Sequence, residues 1–480
     1  MKPEKKEEKR LKKEKKAKNR EFVIIAYMFA ALFVALSAYF CYFLTFKSDD
    51  FINSSYNPRL NSLQTANIRG DIITSDGETI ATTLTFGPIE KRSYPKGREY
   101  CHAVGYAING MSGVEKEASF RMVRSHDFII RRLYNDITDQ KNRGDTAVLT
   151  INSKLQDAAY DAMDDYQGAV IALDPDTGKV LCMVSQPTFD PNTLADDWDS
   201  IVSDETSSVL LNRATQGKYP PGSTFKIVTA LEYLNEGGKA DAPYNCEGEF
   251  SFEGTTIHCY KGKVHGEQNF TNAFANSCNS AFAEIGLNLD VKQYGKLCDR
   301  LLFNKKLPTK IADAGKSSFV LSKDDNSSML MQTAIGQGDT LVTPLHMAMI
   351  ASAIANDGTL YKPYTLDKIQ SPGGAIVMPY FKSRYGDIMS KEEAGNLKWL
   401  MRSVVTDGTG SALMTDKYDA YGKTGTAEFS SNKDEAHSWF VGFAEKDGKK
   451  IAIAVVMEGA GSGSAHAVPL AKSVFDAYFE

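Results

Sequence analysis

Residues 219–234 read "YPPGSTFKIVTALEYL" and place Ser223 three positions before Lys226. In a helix such residues share a face, with their Cβ atoms about 5–6 Å apart. Gly222, Thr229 and Ala230 lie on the same face, all small, and neither i−4 nor i+4 of Lys226 is a carboxylate. A solvated lysine that lays its stem along apolar surface has no need of that room. A lysine whose amine approaches a serine hydroxyl in a confined pocket does. Desolvation lowers its pKa and lets it accept the serine proton. The Pro-Pro-Gly turn suits a helix start, whose N–H groups favour a developing oxyanion. The chemistry implied is acyl transfer through a serine ester.

Ser-x-x-Lys alone recurs by chance in long chains, so companions matter. "NSCNSAF" (276–282) supplies Ser277 and Asn279, and "GKTGTAE" (422–428) supplies Lys423, Thr424, Gly425 and Thr426. Ser277 follows Ser223 by 54 residues and Lys423 follows Ser277 by 146. This order and spacing resemble those of penicillin-recognising serine acyl enzymes. A glycine inside a strand is costly unless something approaches the backbone closely, and an extended peptide substrate along Gly425 would do so. Strict alternation puts Lys423 and Thr426 on opposite faces, which points to a site at the strand's edge with Thr426 offering its backbone N–H. A phosphate-binding reading of "GKT" fails, because the earlier glycine it requires falls at Lys417. "EIGLN" (284–288), His346, His437 and His466 are read as structural, and Glu428 as support for the site strand.

A second constellation overlaps the first. Cys246, Cys259, His265 and Cys278 follow the pattern C-x12-C-x5-H-x12-C. Three sulfurs and an imidazole satisfy a tetrahedral zinc ion, which would brace the loop holding Ser277 and Asn279. A Cys246–Cys259 disulfide is an equal reading outside the cytoplasm. A third is that Cys278 is simply a small buried residue and His265 belongs to a His-Gly turn. Seven cysteines in 480 residues are too few for a disulfide-stapled scaffold.

The elements that must hold these residues follow from periodicity. "TAVLTI" (146–151) reads as a strand and "SKLQDAAYDAMDDY" (153–166) as an amphipathic helix. "GAVIALDPDTGKVLCMVS" (168–185) and "HSWFVGFAEKDGKKIAIAVVMEG" (437–459) are hairpins, and "AVPLAKSVFDAYF" (467–479) is a helix able to cover a sheet. Between them, 223–415 is patterned mostly as helix. The prediction is an α+β fold: an antiparallel sheet completed by both ends of the domain, beside a helical lobe. This domain spans 146–480. A mixed module with a hairpin at 68–84 occupies 47–145, and nothing in it pairs a nucleophile with a base.

The first twenty residues carry eleven Lys or Arg and four Glu, net +7, and the whole chain is −5. The acidic remainder excludes a nucleic-acid-binding stripe. Residues 22–46 contain no charge; some twenty apolar residues span a bilayer as a helix. Basic residues before it and "KSDD" after it orient the N-terminus to the cytoplasm and the body outside. The prediction is a cytoplasmic tail (1–21), a single-pass anchor (22–46) in the cell membrane and an extracytoplasmic body.

The whole chain resembles the class B penicillin-binding proteins, membrane-anchored D,D-transpeptidases of peptidoglycan synthesis. "RGDIITSDGETIA", "HAVGYAINGMSGVEK", "LQDAAYDAMDDYQGAVIALDPDTGKVLCMVSQPTFDPN", "AIGQGDTLVTPLHMAMIASAIANDG" and "VVTDGTG" are similar to family landmarks, alongside the three motifs above. The 47–145 module is short for the family, which argues against elaborate docking by it. The resemblance implies the serine β-lactamase-like transpeptidase fold and no cofactor for catalysis. It implies that Ser223 attacks the penultimate D-Ala carbonyl of a stem peptide and that Lys226 takes its proton. Ser277 and Lys423 would relay a proton to the leaving amine, and Asn279 would orient the substrate amide and Lys226. Thr424 and Thr426, with Lys423, would meet the terminal carboxylate, while the N–H groups of Ser223 and Thr426 form the oxyanion hole. A neighbouring stem peptide supplies the acceptor amine, β-lactams acylate Ser223, and a polytopic glycan polymerase is the implied partner. The rivals are a hydrolase of the same acylation chemistry, either carboxypeptidase or β-lactamase, and a non-catalytic scaffold or antibiotic sensor.

Overall fold

The computed structural model describes residues 3–48, 51, 58–322, 325–428 and 436–480, in two units, Met1–Asn61 and Ser62–Glu480. The first unit is dominated by helix α1 (Pro3–Phe46). Its polar half gains i,i+4 support from Glu8–Lys12 (3.1 Å) and Arg10–Glu14 (3.3 Å). Its second half exposes Tyr27, Phe29 and Phe33 and is long and apolar enough to cross a membrane.

In the second unit the strands used below are β1 (Ile72–Ile73), β2 (Thr79–Phe86), β3 (Ile89–Ser93), β4 (Thr146–Leu149), β5 (Gly168–Leu173), β6 (Val180–Gln186), β7 (Leu366–Gln370), β8 (Ile376–Pro379), β9 (Asp419–Glu428), β10 (Ala436–Lys446) and β11 (Lys449–Met457). The helices are α2 (Ser153–Met163), α3 (Lys226–Asn235), α4 (Phe270–Ala275), α5 (Asn279–Asn288), α6 (Pro344–Ala355), α7 (Lys391–Thr406) and α8 (Ala467–Phe479).

The five-stranded sheet has the order β9-β10-β11-β5-β6, antiparallel throughout. Both hairpins read from the sequence are in it. Alternation sorts its residues into two cores. Ala169, Ile171, Val441, Ala452 and Ala454 pack with the fully buried helix α6. Val170, Ala172, Phe440, Ile451, Ile453 and Val455 pack with Leu155 and Met163 of α2 and Val474 and Phe475 of α8. Pro344 in the first turn of α6 and the Thr343 side chain capping His346 N fix where that buried helix begins. Helix α7 starts on a capping box made by Ser390 and Glu393.

The six-stranded sheet has the order β8-β7-β4-β1-β2-β3. Strand β4, which opens at residue 146, runs parallel to β1 and antiparallel to β7. Elements on either side of position 146 thus share one ladder. Beside it, Glu115 is wholly buried between Arg69 (2.6 Å) and Arg92 (2.7 Å).

The 223–415 stretch is less helical than its pattern predicts. It also holds a hairpin (Glu249–Phe252 with Thr255–His258), a pairing of Pro243–Cys246 with Gly266–Asn269, and the β7–β8 pair. The first two are short and largely exposed. They bury only isolated residues such as Cys246 and Ile257, too few for a period-two signal to mark them.

Candidate active site

Ser223 sits on a single 3-10 turn, Gly222–Phe225, and α3 begins only at Lys226. The turn is held from several sides. Gly222 takes a left-handed φ of +52° and donates its N–H to Gly336 O at 2.9 Å. Trp439 Nε1 donates to Pro220 O at 3.1 Å, and Phe225 is buried against Phe303 and Phe319. Tyr219 and Arg213 both bond Glu458 Oε1 at 2.7 Å, tying the approach to the turn to the end of β11.

Lys226 is fully buried. Its Nζ donates to Ser277 O (2.8 Å) and Asn279 Oδ1 (2.7 Å), with Ser277 Oγ at 3.4 Å. The helical expectation that Lys226 bonds Ser223 directly is not met: among the described residues its hydrogen bonds run to the Ser277–Asn279 loop. Two close acceptors on that loop, Ser277 O and Asn279 Oδ1, take the Lys226 ammonium instead. Burial lowers the Lys226 pKa to about 8, against a smaller opposing effect of Cys278 and Cys259. Ser277 holds a left-handed φ of +58°, rare for a residue with a side chain. Asn279, at the start of α5, donates Nδ2 to His258 O at 3.0 Å and so joins Lys226 to the neighbouring loop.

Lys423 is also fully buried, and its Nζ donates to Thr424 O at 3.1 Å. Burial, then the nearby Lys226, push its pKa well below the usual lysine range. Such an amine is suited to passing a proton more than to presenting a fixed charge. Thr424, Gly425 and Thr426 line, with Ser223, Ser277 and Asn279, one cleft of about 1200 Å³.

The room at Gly425 also serves a contact within the chain. A Cβ there would come within 2.9 Å of Thr224 Cγ2 and 3.0 Å of Trp439 Cβ. The close neighbour on that face is the turn carrying Ser223, so the glycine lets that turn lie against the strand.

Two contributors escaped the sequence reading. Thr409 Oγ1 lies 2.6 Å from Thr424 Oγ1 and lines the cleft; its signal was present in "VVTDGTG". Gly463 approaches Gly425 so closely that a Cβ would meet Gly425 O at 2.5 Å. The histidines read as structural sit apart from this chemistry. His346 is buried with Nε2 at 2.7 Å from Leu301 O, and burial lowers its pKa to about 4. His437 stacks edge-on against Tyr219, and His466 packs on Tyr166. Glu428 stands at the cleft rim.

The cysteine constellation is assembled. The ligand atoms of Cys246, Cys259, His265 and Cys278 lie within 4.8 Å of one another, three of the four residues being buried. Sulfur separations are 3.7 Å (Cys246–Cys259) and 3.8 Å (Cys259–Cys278), and Cys246 Sγ is 3.3 Å from His265 Nδ1. These cysteines form no disulfide in this structure. Gly248 N–H and the Ser280 hydroxyl both donate to Cys246 Sγ.

An antiparallel sheet whose edge strand faces a Ser-x-x-Lys turn and a Ser-x-Asn loop defines the class of penicillin-recognising acyl-serine proteins. Residues 168–476 match the family described as penicillin binding protein transpeptidase domain, and the chain belongs to that family. It is 30% identical over 440 residues to the peptidoglycan D,D-transpeptidase PbpA of Mycolicibacterium smegmatis, covering 84% of this chain and 88% of that one. It is 29% identical to the peptidoglycan D,D-transpeptidase MrdA of Acinetobacter baumannii, covering 83% and 67%. Penicillin-binding protein A of M. tuberculosis, solved as its penicillin G acyl-enzyme complex, superposes with a TM-score of 0.77 at 28% identity, covering 86% of this chain and all of that one.

Proposed function

We propose that this protein is a serine D,D-transpeptidase that crosslinks peptidoglycan stem peptides and is acylated by β-lactams. The observation that carries the reading is a buried lysine of lowered pKa, one turn from Ser223 and bonded to Ser277 and Asn279. Lys226 Nζ accepts the Ser223 proton as Oγ attacks the penultimate D-Ala carbonyl. The N–H groups of Ser223 and Thr426 hold the oxyanion. The C–N bond breaks, and the leaving D-Ala amine takes a proton relayed through Ser277 and Lys423. Thr424 and Thr426 meet the terminal carboxylate, with Thr409 bonded to Thr424. An acceptor amine then attacks the ester, and Ser223 regains its proton. No cofactor takes part in these steps.

In this reading α1 anchors the chain in the cell membrane with its basic end in the cytoplasm. Residues 47–145 form a small mixed module that precedes the 146–480 transpeptidase domain in the sequence, and a polytopic glycan polymerase is the partner. Incubation with benzylpenicillin tests the central claim: a mass increase on Ser223 that lasts for hours is expected, and turnover within seconds means a β-lactamase. Crosslinked dimers from stem peptides exclude the carboxypeptidase. Loss of complementation by Ser223→Ala excludes the scaffold.

Cys246, Cys259, His265 and Cys278 are assigned to a structural zinc ion rather than to a disulfide. Zn–S bonds of about 2.3 Å in a tetrahedron require S···S edges of about 3.8 Å, and the sulfurs stand 3.7 and 3.8 Å apart. N–H and O–H donors to Cys246 Sγ suit a thiolate ligand. The ion would hold the backbone at His258–Cys259 against Asn279. Metal analysis with thiol counting decides: one zinc per chain is expected, and six titratable thiols outside Cys41 without zinc refute the assignment.

A further inference from the structure

Between Cys259 and His265 the chain makes a tight turn, Tyr260–Lys263, that overhangs the cleft. Its four residues line the cleft, and Lys261 and Lys263 are exposed on its wall. Among the described residues neither lysine makes an ion pair, whereas the nearby His258 is engaged by Glu249 at 3.0 Å. The turn is ordered from within: Cys259 N donates to Gly248 O (2.8 Å), Gly262 N to Cys259 O (2.8 Å) and Lys263 N to Tyr260 O (3.2 Å). It is registered to the chemistry because His258 O accepts from Asn279 Nδ2. The charge of the cleft is divided. Lys261 and Lys263 stand on the Ser277–Asn279 side, while Glu428 at the end of β9 and Asp339 supply the acidic lining.

We propose that Lys261 and Lys263 are specificity-determining residues that bind a carboxylate of the stem peptide beyond its D-Ala-D-Ala end. This rests on the transpeptidase reading, in which a peptide ending in D-Ala-D-Ala lies in this cleft. Two ammonium groups on a preformed turn offer six N–H donors at a cleft rim, and a carboxylate is the partner that satisfies them. The buried Lys226 and Lys423 cannot serve this purpose, since both are occupied below the rim.

The test compares two synthetic peptides ending in D-Ala-D-Ala, one with a free carboxylate on the side group of an upstream residue and one with that group amidated. Acylation of the full-length protein is measured for wild type and for Lys261→Gln/Lys263→Gln. Wild type is expected to favour the carboxylate peptide by about fivefold to thirtyfold, through KM, with the preference shrinking at high salt. In the double variant the ratio should fall to about one. Equal reactivity of both peptides with wild type overturns the proposal, as does an undiminished preference in the variant. An equal loss on both peptides also overturns it, because the turn would then act through Asn279. Penicillin labelling of wild type reports separately on the transpeptidase reading.

Discussion

The pKa of Lys226 makes the pH dependence of acylation the most direct test of its role. With Lys226 lowered to about 8 by burial, roughly a tenth of the protein carries the neutral amine at pH 7, about half at pH 8 and about nine-tenths at pH 9. The second-order rate of acylation by a fluorescent penicillin should therefore rise about fivefold from pH 7 to 8, and about tenfold by pH 9, then level off. Stopped-flow mixing between pH 6 and 10 measures it. Lys226→Met should abolish the reaction at every pH.

The same shift has a stability signature of fixed sign. The folded chain binds the Lys226 proton more weakly than the unfolded chain, so stability is lowest below about pH 8 and rises as pH climbs toward about 10.4. A shift from 10.5 to about 8 corresponds to about 3 kcal/mol of destabilisation below pH 8, removed at high pH. Lys226→Met escapes this penalty, and its margin over wild type should shrink as pH rises. A flat acylation profile from pH 6 to 10, or a limb near the ordinary lysine pKa, would refute the assignment of Lys226 as the base.

Asn279→Ala removes an acceptor from Lys226 and a donor from His258 O; acylation should fall about tenfold to a hundredfold in stopped-flow mixing. Gly425→Ala forces a Cβ to 2.9 Å from Thr224 Cγ2; penicillin labelling should drop sharply while circular dichroism stays near wild type. Glu115→Ala leaves Arg69 and Arg92 without their buried partner; a loss of about 3–5 kcal/mol is expected and should appear in thermal melts.

The three motifs were legible because their spacing is local or ordered along the chain, and the β5–β6 and β10–β11 hairpins because their alternation is strong. Arg69 and Glu115 lie inside the landmarks "RGDIITSDGETIA" and "HAVGYAINGMSGVEK", but nothing local tells that they meet as a buried ion pair. The return of β7 to β4 was hidden for a similar reason. Pairing between distant strands leaves no periodic mark on either one. The need for room at Gly425 was legible, but not that Thr224 and Trp439 stand close to it, since a sequence shows that room is needed and not what stands nearby. The 3-10 turn at Ser223 was missed because Gly222–Phe225 and the helix after it share one apolar pattern.

The order of strands in the two sheets sets a timetable for the chain as it is made. Strands β5 and β6 emerge early, yet the central partner of β5 is β11, the last strand among the described residues. Strand β4 likewise awaits β7. At about 5–20 residues per second, the early strands spend tens of seconds with exposed edges before their neighbours arrive. The turn carrying Ser223 is in the same position, since Trp439 of β10 donates to Pro220 O beside it. In the proposed reading, a chain halted before β10 therefore lacks the Trp439 hydrogen bond that helps hold the turn carrying Ser223.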